Sequence, residues 1–479
     1  MYKYTFFIII TFVIALGCVQ KNAASLQKAS VPSMAANTLS TDDVEKNYKS
    51  YCAGCHGEKL DAFVDRKWKY GDSREDLFKG IKYGYPNGGM PAYDSAFNTK
   101  EIYALADYIL AGIKNRERYD FTEKPKQNLF TSEEQNVKLD TMVSGLNIPW
   151  AIAFLPNNEL LVTEKSGKLH HVYGDKTKQL IKGVPSVVDE GQGGLLDVIT
   201  HPQFAKNKVI YLSYSKAKDD DPKLATTAIL KATLVNNELT NTKIIFEALP
   251  YSTTRHHYGC RMVFGKDGML YFSVGERGNE KQNPQSTSND LGKIHRITDE
   301  GGIPADNPFA QSTTAKRTIY TYGNRNPQGI AMDKTTGKVW ETEHGPRGGD
   351  EVNIVEPGKN YGWPAISFGI NYNGKIITDK TALPGMEQPL LYWIPSIAPS
   401  GTTFVEGNKY NGWKGDLLVG SLRFNYLNRC KIKDGKIIGE ELLLKNIGRM
   451  RDVRMGPDGF IYVAVENPGY VFKLLPVDR

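Results

Sequence analysis

Cysteine is scarce in this sequence, and basic blocks and long hydrophobic runs are absent. The 479 residues include five cysteines, which excludes a disulfide-stapled scaffold. The 60 Lys and Arg residues against 53 Asp and Glu residues leave a formal charge of +7, spread thinly along the chain, so nucleic acid is not an expected partner. No apolar stretch reaches the roughly 20 residues that a membrane-spanning helix needs, so a multi-span membrane protein is excluded.

The composition that is present belongs to a folded protein with more than one domain. Hydrophobic residues make up 40% of the chain and charged residues 24%, which fits globular structure and not disorder. A length of 479 residues is enough for two or three domains with ample core. The 46 glycines, 24 prolines and 26 tyrosines predict many turns and many strands.

The N-terminus is predicted to be a targeting segment. Lys3 precedes a short apolar run at residues 6–16, which is typical of a signal-peptide core. Residues 15–18 read Ala-Leu-Gly-Cys and resemble the lipobox of bacterial lipoproteins, in which the cysteine, here Cys18, becomes lipidated; an ordinary cleaved signal is the alternative. With a small, polar tether at 19–40, we expect an extracytoplasmic protein on the periplasmic side, held to a bacterial membrane through a lipid anchor only.

A short motif further along predicts covalent haem c. Residues 52–56 read Cys-Ala-Gly-Cys-His. Cys52 and Cys55 lie one helical turn apart and can form thioethers to the two vinyl groups of one haem, while His56 binds the iron. A thioredoxin-like dithiol or half of a zinc site are the alternatives, which the adjacent histidine and the lack of a second cysteine pair nearby disfavour.

The sixth iron ligand is predicted by elimination. Between residues 57 and 128 there is no further histidine and one methionine, Met90, which follows two glycines and precedes a proline. A core methionine, with lysine or water on the iron, is the alternative. Apolar residues at helical spacing in 101–113 resemble the closing helix of a small class I cytochrome c, so we assign an all-α cytochrome c domain to 41–118 and a polar linker to 119–137.

The remainder, residues 138–479, repeats one pattern six times. An apolar strand leads through a turn rich in Asp, Asn, Gly or Lys into an alternating strand. The six copies are 152–154 with 161–163, 198–199 with 210–212, 262–264 with 270–272, 330–332 with 339–341, 403–405 with 417–419, and 453–455 with 461–463. We predict a mostly β protein, a six-bladed β-propeller of four strands per blade; a β-sandwich or two unrelated β domains are the alternatives.

The copies diverge in the loops, where arginine, histidine, glycine and proline cluster. These loops are residues 191–194, 255–261, 324–329, 343–351 and 448–452. In a propeller such loops meet at one mouth of the central channel. Arginines bind carboxylates through paired hydrogen bonds, and Gly-Pro turns offer backbone carbonyls that suit Ca²⁺. The loops therefore predict a polyanionic ligand and a hard cation beside a candidate base, and the haem indicates that this ligand is redox-active.

Seven motifs in this region carry a resemblance to a known family. They are Gly-Gln-Gly-Gly-Leu-Leu at 191–196, His257 with Arg261, Arg-Asn-Pro-Gln-Gly at 325–329, Gly-Pro at 345–346 with Asp-Glu at 350–351, Asn-Tyr-Gly-Trp-Pro at 360–364, Ala-Pro-Ser at 398–400 and Arg-Met-Arg-Asp at 449–452. In this order they resemble the soluble quinoprotein glucose dehydrogenases and, more closely, the aldose sugar dehydrogenases of the glucose/sorbosone dehydrogenase family. The resemblance implies a six-bladed propeller that uses pyrroloquinoline quinone (PQQ) and Ca²⁺.

The resemblance also implies a role for individual residues. His257 is the general base for the C1 hydroxyl of the sugar. The residues implied to contact PQQ are Gln192, Arg325, Asn326, Gln328, Ser396, Arg423, Arg449 and Arg451. The residues implied to bind Ca²⁺ are Gly345, Pro346, Glu351 and Tyr361.

Three positions depart from the family pattern. Lysine is usual where Arg423 stands and threonine where Ser396 stands, and both replacements keep the charge or the hydroxyl. The glucose-specific branch has aspartate where His256 stands, which favours a broader substrate range than glucose.

Two further histidines, His170 and His171, have no partner motif and are predicted to be surface strand residues.

The sequence therefore predicts a membrane-tethered quinohaemoprotein that oxidises aldose sugars to lactones with PQQ. Electrons would pass to haem c and then to an external acceptor, a soluble cytochrome or the respiratory chain. The alternative is an electron-transfer cytochrome c that carries a non-catalytic carbohydrate- or protein-binding propeller; the presence of His257 and the arginines argues against it. A third class, the eight-bladed quinoprotein alcohol dehydrogenases, needs adjacent cysteines, and this sequence has no such pair.

Overall fold

The structure, a computed structural model, describes most of the chain after residue 39. The described residues are 40–56, 60, 63, 68, 70–86, 90–114, 118, 128–278, 282–372 and 375–478. The predicted signal peptide and Cys18, all but the last residue of the tether, the part of the linker before residue 128, and the Cys55 side chain lie outside them. Among the described residues, no helix combines the length and the apolar character needed to cross a bilayer.

The region predicted as a cytochrome c domain is helical where it is described. Its helices are α1 (Thr41–Tyr51), α2 (Ala53–His56), α3 (Arg74–Tyr83) and α4 (Thr99–Ile113). A capping box starts α3, where Ser73 accepts from the Asp76 amide, and another starts α4, where Asn98 accepts from the Glu101 amide. In α4 the buried residues are Ile102, Leu105, Ala106 and Ile109, which is the helical spacing that the sequence predicted.

The rest of the described chain forms six antiparallel sheets. Two strands come first, β1 (Leu129–Phe130) and β2 (Asn136–Val143). Blade 1 has β3 (Pro149–Phe154), β4 (Leu160–Glu164), β5 (Lys168–Val172) and β6 (Lys178–Leu180). Blade 2 has β7 (Leu195–Thr200), β8 (Val209–Lys218), β9 (Asp221–Val235) and β10 (Glu238–Glu247), with a short helix, α5 (Phe204–Asn207), after β7. Blade 3 has β11 (Met262–Phe264), β12 (Leu270–Val274), β13 (Lys293–Ile297) and β14 (Ile319–Tyr322).

The last three blades follow the same order. Blade 4 has β15 (Pro327–Met332), β16 (Val339–Glu343), β17 (Asp350–Val355) and β18 (Leu391–Trp393). Blade 5 has β19 (Pro399–Phe404), β20 (Leu417–Ser421), β21 (Tyr426–Lys433) and β22 (Lys436–Leu443). Blade 6 has β23 (Met450–Met455), β24 (Ile461–Val465) and β25 (Tyr470–Val477), followed across the sheet by β2 and β1.

The six blades close into a ring, so the predicted six-bladed propeller is confirmed. The first strand of each blade contacts the first strand of the next, and β23 contacts β3 to complete the circle. Blade 6 takes its outer strand from the start of the domain, because β2 pairs with β25 from Asn136 opposite Val477 onwards. β1 and the first residues of β2 fall within 119–137, the range predicted as the linker.

Each of the six predicted repeats is the first hairpin of one blade. The second strands of five blades, β4, β12, β16, β20 and β24, are buried along their whole length, because neighbouring blades cover both faces. The turn in blade 3 has Gly268 at φ 76°, and the turn in blade 6 has Gly459 at φ 76°, a left-handed conformation that favours glycine.

Two histidines of blade 1 lie where the sequence did not predict them. His170 is 7% exposed, and His171 bonds through its two ring nitrogens to Asn237 and Glu159 at 2.7 Å each. The prediction that both are surface residues is wrong. Successive residues of β5 point to opposite faces of the sheet, and His170 is buried on one face while His171, 12% exposed, is covered by its partners on the other.

Candidate functional site

All predicted propeller site residues lie at one end of the blades. Most of them occupy either the loop before a blade's first strand and the first residues of that strand, or the loop that follows its second strand. Glu351 lies in β17, the third strand of blade 4, and Tyr361 lies in the loop between β17 and β18. Since the first two strands of a blade are antiparallel, the start of the first and the end of the second are neighbours in space. The site is therefore assembled from equivalent corners of different blades.

His257 and a glutamate that the sequence did not single out form a pair. His257 precedes β11 and Glu276 follows β12, and their Nδ1 and Oε1 atoms are 2.6 Å apart. Burial, together with the charge of Arg325, lowers the pKa of His257 to about 4. Burial opposes ionisation of Glu276, but its hydrogen bond with His257, the charges of His257 and Arg325 and the Gly278 amide together outweigh burial, so its pKa is lowered. The ionised carboxylate of Glu276 accepts a hydrogen bond from Nδ1–H of His257. The lone pair of the neutral imidazole therefore lies on Nε2, where a general base needs it.

The loop that carries His257 is held in a strained conformation. His257 has φ 51°, a left-handed value that non-glycine residues seldom adopt. Its backbone N–H donates to Oε1 of Gln192 at 2.8 Å, and Asn326 Oδ1 accepts from the Gly259 N–H at 3.1 Å. A side chain at Gly275 would place its Cβ 2.2 Å from the His257 carbonyl oxygen, so glycine is required there. These contacts bring Gln192, His257 and Asn326 together.

Arg325 connects this loop to the predicted metal loop. Its Nη1 donates to the carbonyls of His344 at 2.9 Å and Gly345 at 2.7 Å, and its own carbonyl accepts from the Glu276 amide at 2.9 Å. The Arg325 Nε and the Asn326 Nδ2 are buried and have no hydrogen-bond partner. Two unpaired buried donors on consecutive residues fit an acceptor-rich ligand such as a quinone carrying carboxylates.

The arginines predicted to hold the cofactor carboxylates lie together. Arg451 Nη1 donates to Gln328 Oε1 at 3.0 Å, and Arg449 Nη1 donates to the Leu422 carbonyl at 3.0 Å. Both guanidinium groups also bond to one carboxylate, Glu466, which the sequence did not single out. Two cations at one mouth of the propeller fit an anionic ligand.

Ser396 and Arg423 also belong to the same site. The Ser396 hydroxyl lies 2.9 and 2.7 Å from the two carboxylate oxygens of Asp350, and Arg423 Nη1 lies 3.4 Å from the Ser396 carbonyl oxygen. Asp350 Oδ1 also accepts from the Gly345 N–H at 2.8 Å. Asp350 therefore ties the Ser396 loop to the predicted metal loop, a role the sequence did not reveal.

The residues predicted to bind Ca²⁺ line a small internal cavity of about 10 Å³, roughly the space of one water molecule. Gly345, Pro346, Glu351 and Tyr361 all contribute to its lining. The Tyr361 hydroxyl donates to the Ile354 carbonyl, so in this structure its proton is already committed to the protein.

Buried carboxylates surround this cavity. Burial and the charge of Glu343 raise the pKa of Glu351 to about 8, and burial raises the pKa of Glu343 to about 7. Burial and Glu343 likewise raise the pKa of Glu341, whose Oε2 is buried without a partner. Within the described residues, no cluster of three or more His, Cys, Asp or Glu side chains forms a complete ligand set. A hard cation there would draw on main-chain carbonyls as well, which is the donor chemistry that Ca²⁺ prefers.

The helical region contains a second cavity, of about 270 Å³. It is lined by both predicted iron ligands, His56 and Met90, and by Cys52. Met90 is held by paired backbone hydrogen bonds with Tyr85, at 2.9 and 3.2 Å. The His56 ring stacks on Phe63 at 4.5 Å between centroids. A nitrogen and a thioether in one aromatic cavity fit a haem iron.

Several of these partners could not be recognised as motifs. Glu276 belongs to none of the seven motifs, and its contact with His257 depends on the return of β12 beside β11. Glu341 and Glu343 do leave a signal, because two acids at i and i+2 in a buried strand point to the same face.

Fold and site together are those of a propeller oxidoreductase with a buried neutral histidine, a cluster of arginines at one end of the blades and an associated cytochrome c-type region. The family described as Glucose / Sorbosone dehydrogenase matches residues 146–473, and the family described as Cytochrome C oxidase, cbb3-type, subunit III, matches residues 40–109. The chain belongs to the glucose/sorbosone dehydrogenase family, and the predicted assignment to sugar dehydrogenases is confirmed.

Known relatives agree with this assignment. Aldose sugar dehydrogenase YliI of Escherichia coli (strain K12) is 40% identical over 348 residues, which cover 71% of this chain and 93% of the relative. The crystal structure of the soluble Escherichia coli aldose sugar dehydrogenase in its apo-form superposes with a TM-score of 0.68 at 38% identity, over 71% of this chain and 100% of that one. The PQQ-bound aldose sugar dehydrogenase of Streptomyces coelicolor gives a TM-score of 0.60 at 27% identity, over 71% and 98%.

Proposed function

We propose that this protein is a quinohaemoprotein that oxidises the C1 hydroxyl of aldose sugars to lactones. It uses PQQ with Ca²⁺ in the propeller and haem c in the helical domain, and it passes electrons from the first to the second and then to an external acceptor. The observation that carries the proposal is the His257–Glu276 pair, a neutral imidazole at 2.6 Å from an ionised carboxylate, beside the unpaired donors of Arg325 and Asn326.

His257 performs the proton transfer in this proposal. The carboxylate of Glu276 fixes the ring and its tautomer, so that Nε2 faces the substrate hydroxyl with its lone pair. As the proton leaves, the imidazolium is stabilised by the same carboxylate. When bound, PQQ supplies the acceptor for the hydride that leaves C1. The substrate thus loses one proton and one hydride and becomes the lactone.

The other site residues bind and orient the cofactor. Arg449 and Arg451 would hold its carboxylates, and Arg325 and Asn326 would donate to its quinone oxygens. Glu351 and the carbonyl of Pro346 would hold Ca²⁺ next to it, so that positive charge lies where negative charge develops.

The helical domain supplies the one-electron step. His56 and Met90 line one cavity and would bind the two faces of the iron, with Cys52 and Cys55 as the covalent attachments. We further propose that the chain is anchored through Cys18 and works on the periplasmic side of a bacterial membrane, since the segment before it has the features of a lipoprotein signal.

Spectroscopy of the haem tests the proposed sugar oxidation and the proposed electron transfer to haem. Protein purified with haem is loaded with PQQ and Ca²⁺, and aldoses are added one at a time while the haem absorption band is followed. We expect sugar-dependent haem reduction, lost in His257→Ala without loss of PQQ binding. His171→Gln, which changes a histidine of blade 1 outside the site, should behave as the wild type. PQQ binding without haem reduction by any aldose would favour the non-catalytic alternative.

A further inference from the structure

One carboxylate bridges the two arginines assigned to the cofactor. Glu466 follows β24, and its Oε2 accepts from Arg449 Nε at 2.8 Å while its Oε1 accepts from Arg451 Nε at 2.5 Å. We propose that Glu466 is a positioning residue that fixes both guanidinium groups in the orientation that receives the carboxylates of the cofactor. This inference rests on the proposed PQQ site.

Arg451 is fully oriented by its protein contacts. Its Nε and Nη2 both bond to Glu466 Oε1, and its Nη1 donates to Gln328 Oε1 at 3.0 Å. The side chain is 11% exposed, so the guanidinium has little freedom to turn. A guanidinium has five N–H donors, and these contacts use one on each of its three nitrogens, which leaves one N–H on each Nη for a ligand.

Arg449 is held by Glu466 and by a backbone carbonyl, and the rest of its guanidinium is exposed. Its Nε donates to Glu466 and its Nη1 donates to the Leu422 carbonyl at 3.0 Å. The side chain is 47% exposed, and its second terminal nitrogen is available at the mouth of the site. Without Glu466, this long side chain would sample several rotamers, and binding a ligand would cost the entropy of ordering it.

Glu466 is itself fixed. Its backbone N–H donates to the Arg449 carbonyl at 2.9 Å, and its side chain is 12% exposed. Burial works against its charge, but Arg451 and Arg449 outweigh burial and lower its pKa. An ionised carboxylate is thus held between the two cations before any ligand arrives.

Charge and orientation make opposite predictions at this position. Glu466 is a negative charge in a site that binds a tricarboxylate, so its neutralisation should tighten PQQ binding if charge alone matters. If Glu466 acts by orienting the arginines, its neutralisation should weaken PQQ binding, although the site gains one positive charge. The sign of the change therefore separates the two roles.

The test measures PQQ affinity by titration of the haem-containing full chain in the presence of Ca²⁺, without sugar. We expect Glu466→Gln to weaken PQQ binding about tenfold, as loss of an orienting partner does in other sites. We also expect its affinity to fall more steeply with added salt than that of the wild type, because the site is more positive. The matched control is Glu441→Gln, whose carboxylate is equally buried and bonds to Arg429 at 2.8 Å outside the site.

The possible outcomes distinguish failure of the proposed role of Glu466 from failure of the proposed function. Unchanged or tighter binding by Glu466→Gln would overturn the positioning role and leave the PQQ site intact. Equal losses of PQQ affinity in Glu466→Gln and Glu441→Gln, with an unchanged salt dependence, would show general destabilisation and would also overturn the positioning role. Absence of PQQ binding by the wild type would instead refute the proposed function.

Discussion

At the scale of single residues, burial sets the chemistry of the histidines near the site. Burial lowers the pKa of His257 to about 4 and, more strongly, that of His344, so both rings are neutral near pH 7. What distinguishes His257 is Glu276, because this carboxylate raises the pKa against burial and fixes the tautomer. A neutral ring with an oriented Nε2 can accept a proton over a wide range of pH.

The first prediction concerns pH. A histidine with a free pKa near 6.5 would lose its base function below that pH, whereas His257 stays neutral down to about pH 4. We expect the acid limb of kcat/KM for sugar oxidation to lie between pH 4 and 5. An inflection of kcat/KM near pH 6.5 would contradict the prediction.

The lowered pKa of His257 also reduces the stability of the fold in acid. Between pH 6.5 and 4 the imidazole binds a proton in the unfolded chain but not in the folded chain, so the free energy of unfolding falls as pH falls through this window.

The second prediction concerns Glu276. In Glu276→Gln the imidazole loses its anionic partner, so the tautomer is less defined and the imidazolium less stable. We expect kcat to fall about 100-fold, with little change in PQQ affinity. The matched control is Glu159→Gln, because Glu159 also lies 2.7 Å from a histidine, His171, but in blade 1 outside the site. Equal loss of activity in both variants, measured by haem reduction, would show that Glu276 has no specific role.

At the scale of strands and loops, the site depends on which strand ends meet. The sequence predicted the six hairpins, because alternation and Asp-Gly turns are local signals. It also predicted the loops that carry arginine and histidine. It could not predict partners such as Asp350, which reaches Ser396 46 positions away in the chain, or the burial of His170, which depends on contacts that no local pattern contains. Local periodicity determines the strands and hairpins, and packing between blades determines which side chains contact one another.

The third prediction concerns two buried carboxylates of blade 4, Glu343 at the end of β16 and Glu351 near the start of β17. Glu343 and Glu351 have pKa values raised to about 7 and 8, so the folded state retains protons that the unfolded state has already lost above pH 4.5. Without a cation, this part of the stability is present at low pH and is lost as pH rises to about 8. Because Ca²⁺ binds the ionised carboxylates, we expect its stabilising effect to be larger at pH 8 than at pH 6.

Thermal unfolding measures this effect. With Ca²⁺ at about 100 times its Kd the gain should be about 2.7 kcal/mol at pH 8. The experiment compares EDTA with Ca²⁺ at both pH values and repeats the comparison in Glu351→Gln, which should lose most of the difference. A Ca²⁺ effect that is the same at both pH values, or the same in Glu351→Gln, would place the ion elsewhere.

At the scale of the whole molecule, two kinds of chemistry share one chain. The ring of blades is closed by a strand from its own N-terminal side, β2, so the segment that leaves toward the helical domain is fixed to blade 6. Glu134 reinforces this attachment by bonding to the buried Arg429 of blade 5. Since the cytochrome c-type domain is covalently joined to the propeller, electron transfer between them would be an intramolecular event.

The last prediction tests that connection by separating the two functions between molecules. One variant, His257→Ala, keeps the haem and lacks the base. The other, which combines Cys52→Ala and Cys55→Ala, keeps the base and lacks covalent haem. A covalent connection between two domains gives an effective concentration on the order of millimolar, so in the wild type the rate of haem reduction by sugar should not depend on protein concentration. In a mixture of the two variants at micromolar concentration, haem reduction has to occur between molecules. We expect it to be at least about 100-fold slower and proportional to the concentration of the haem-free variant. Equal rates in the mixture and the wild type, measured by stopped-flow absorption of the haem, would mean that the natural acceptor of the propeller is another molecule.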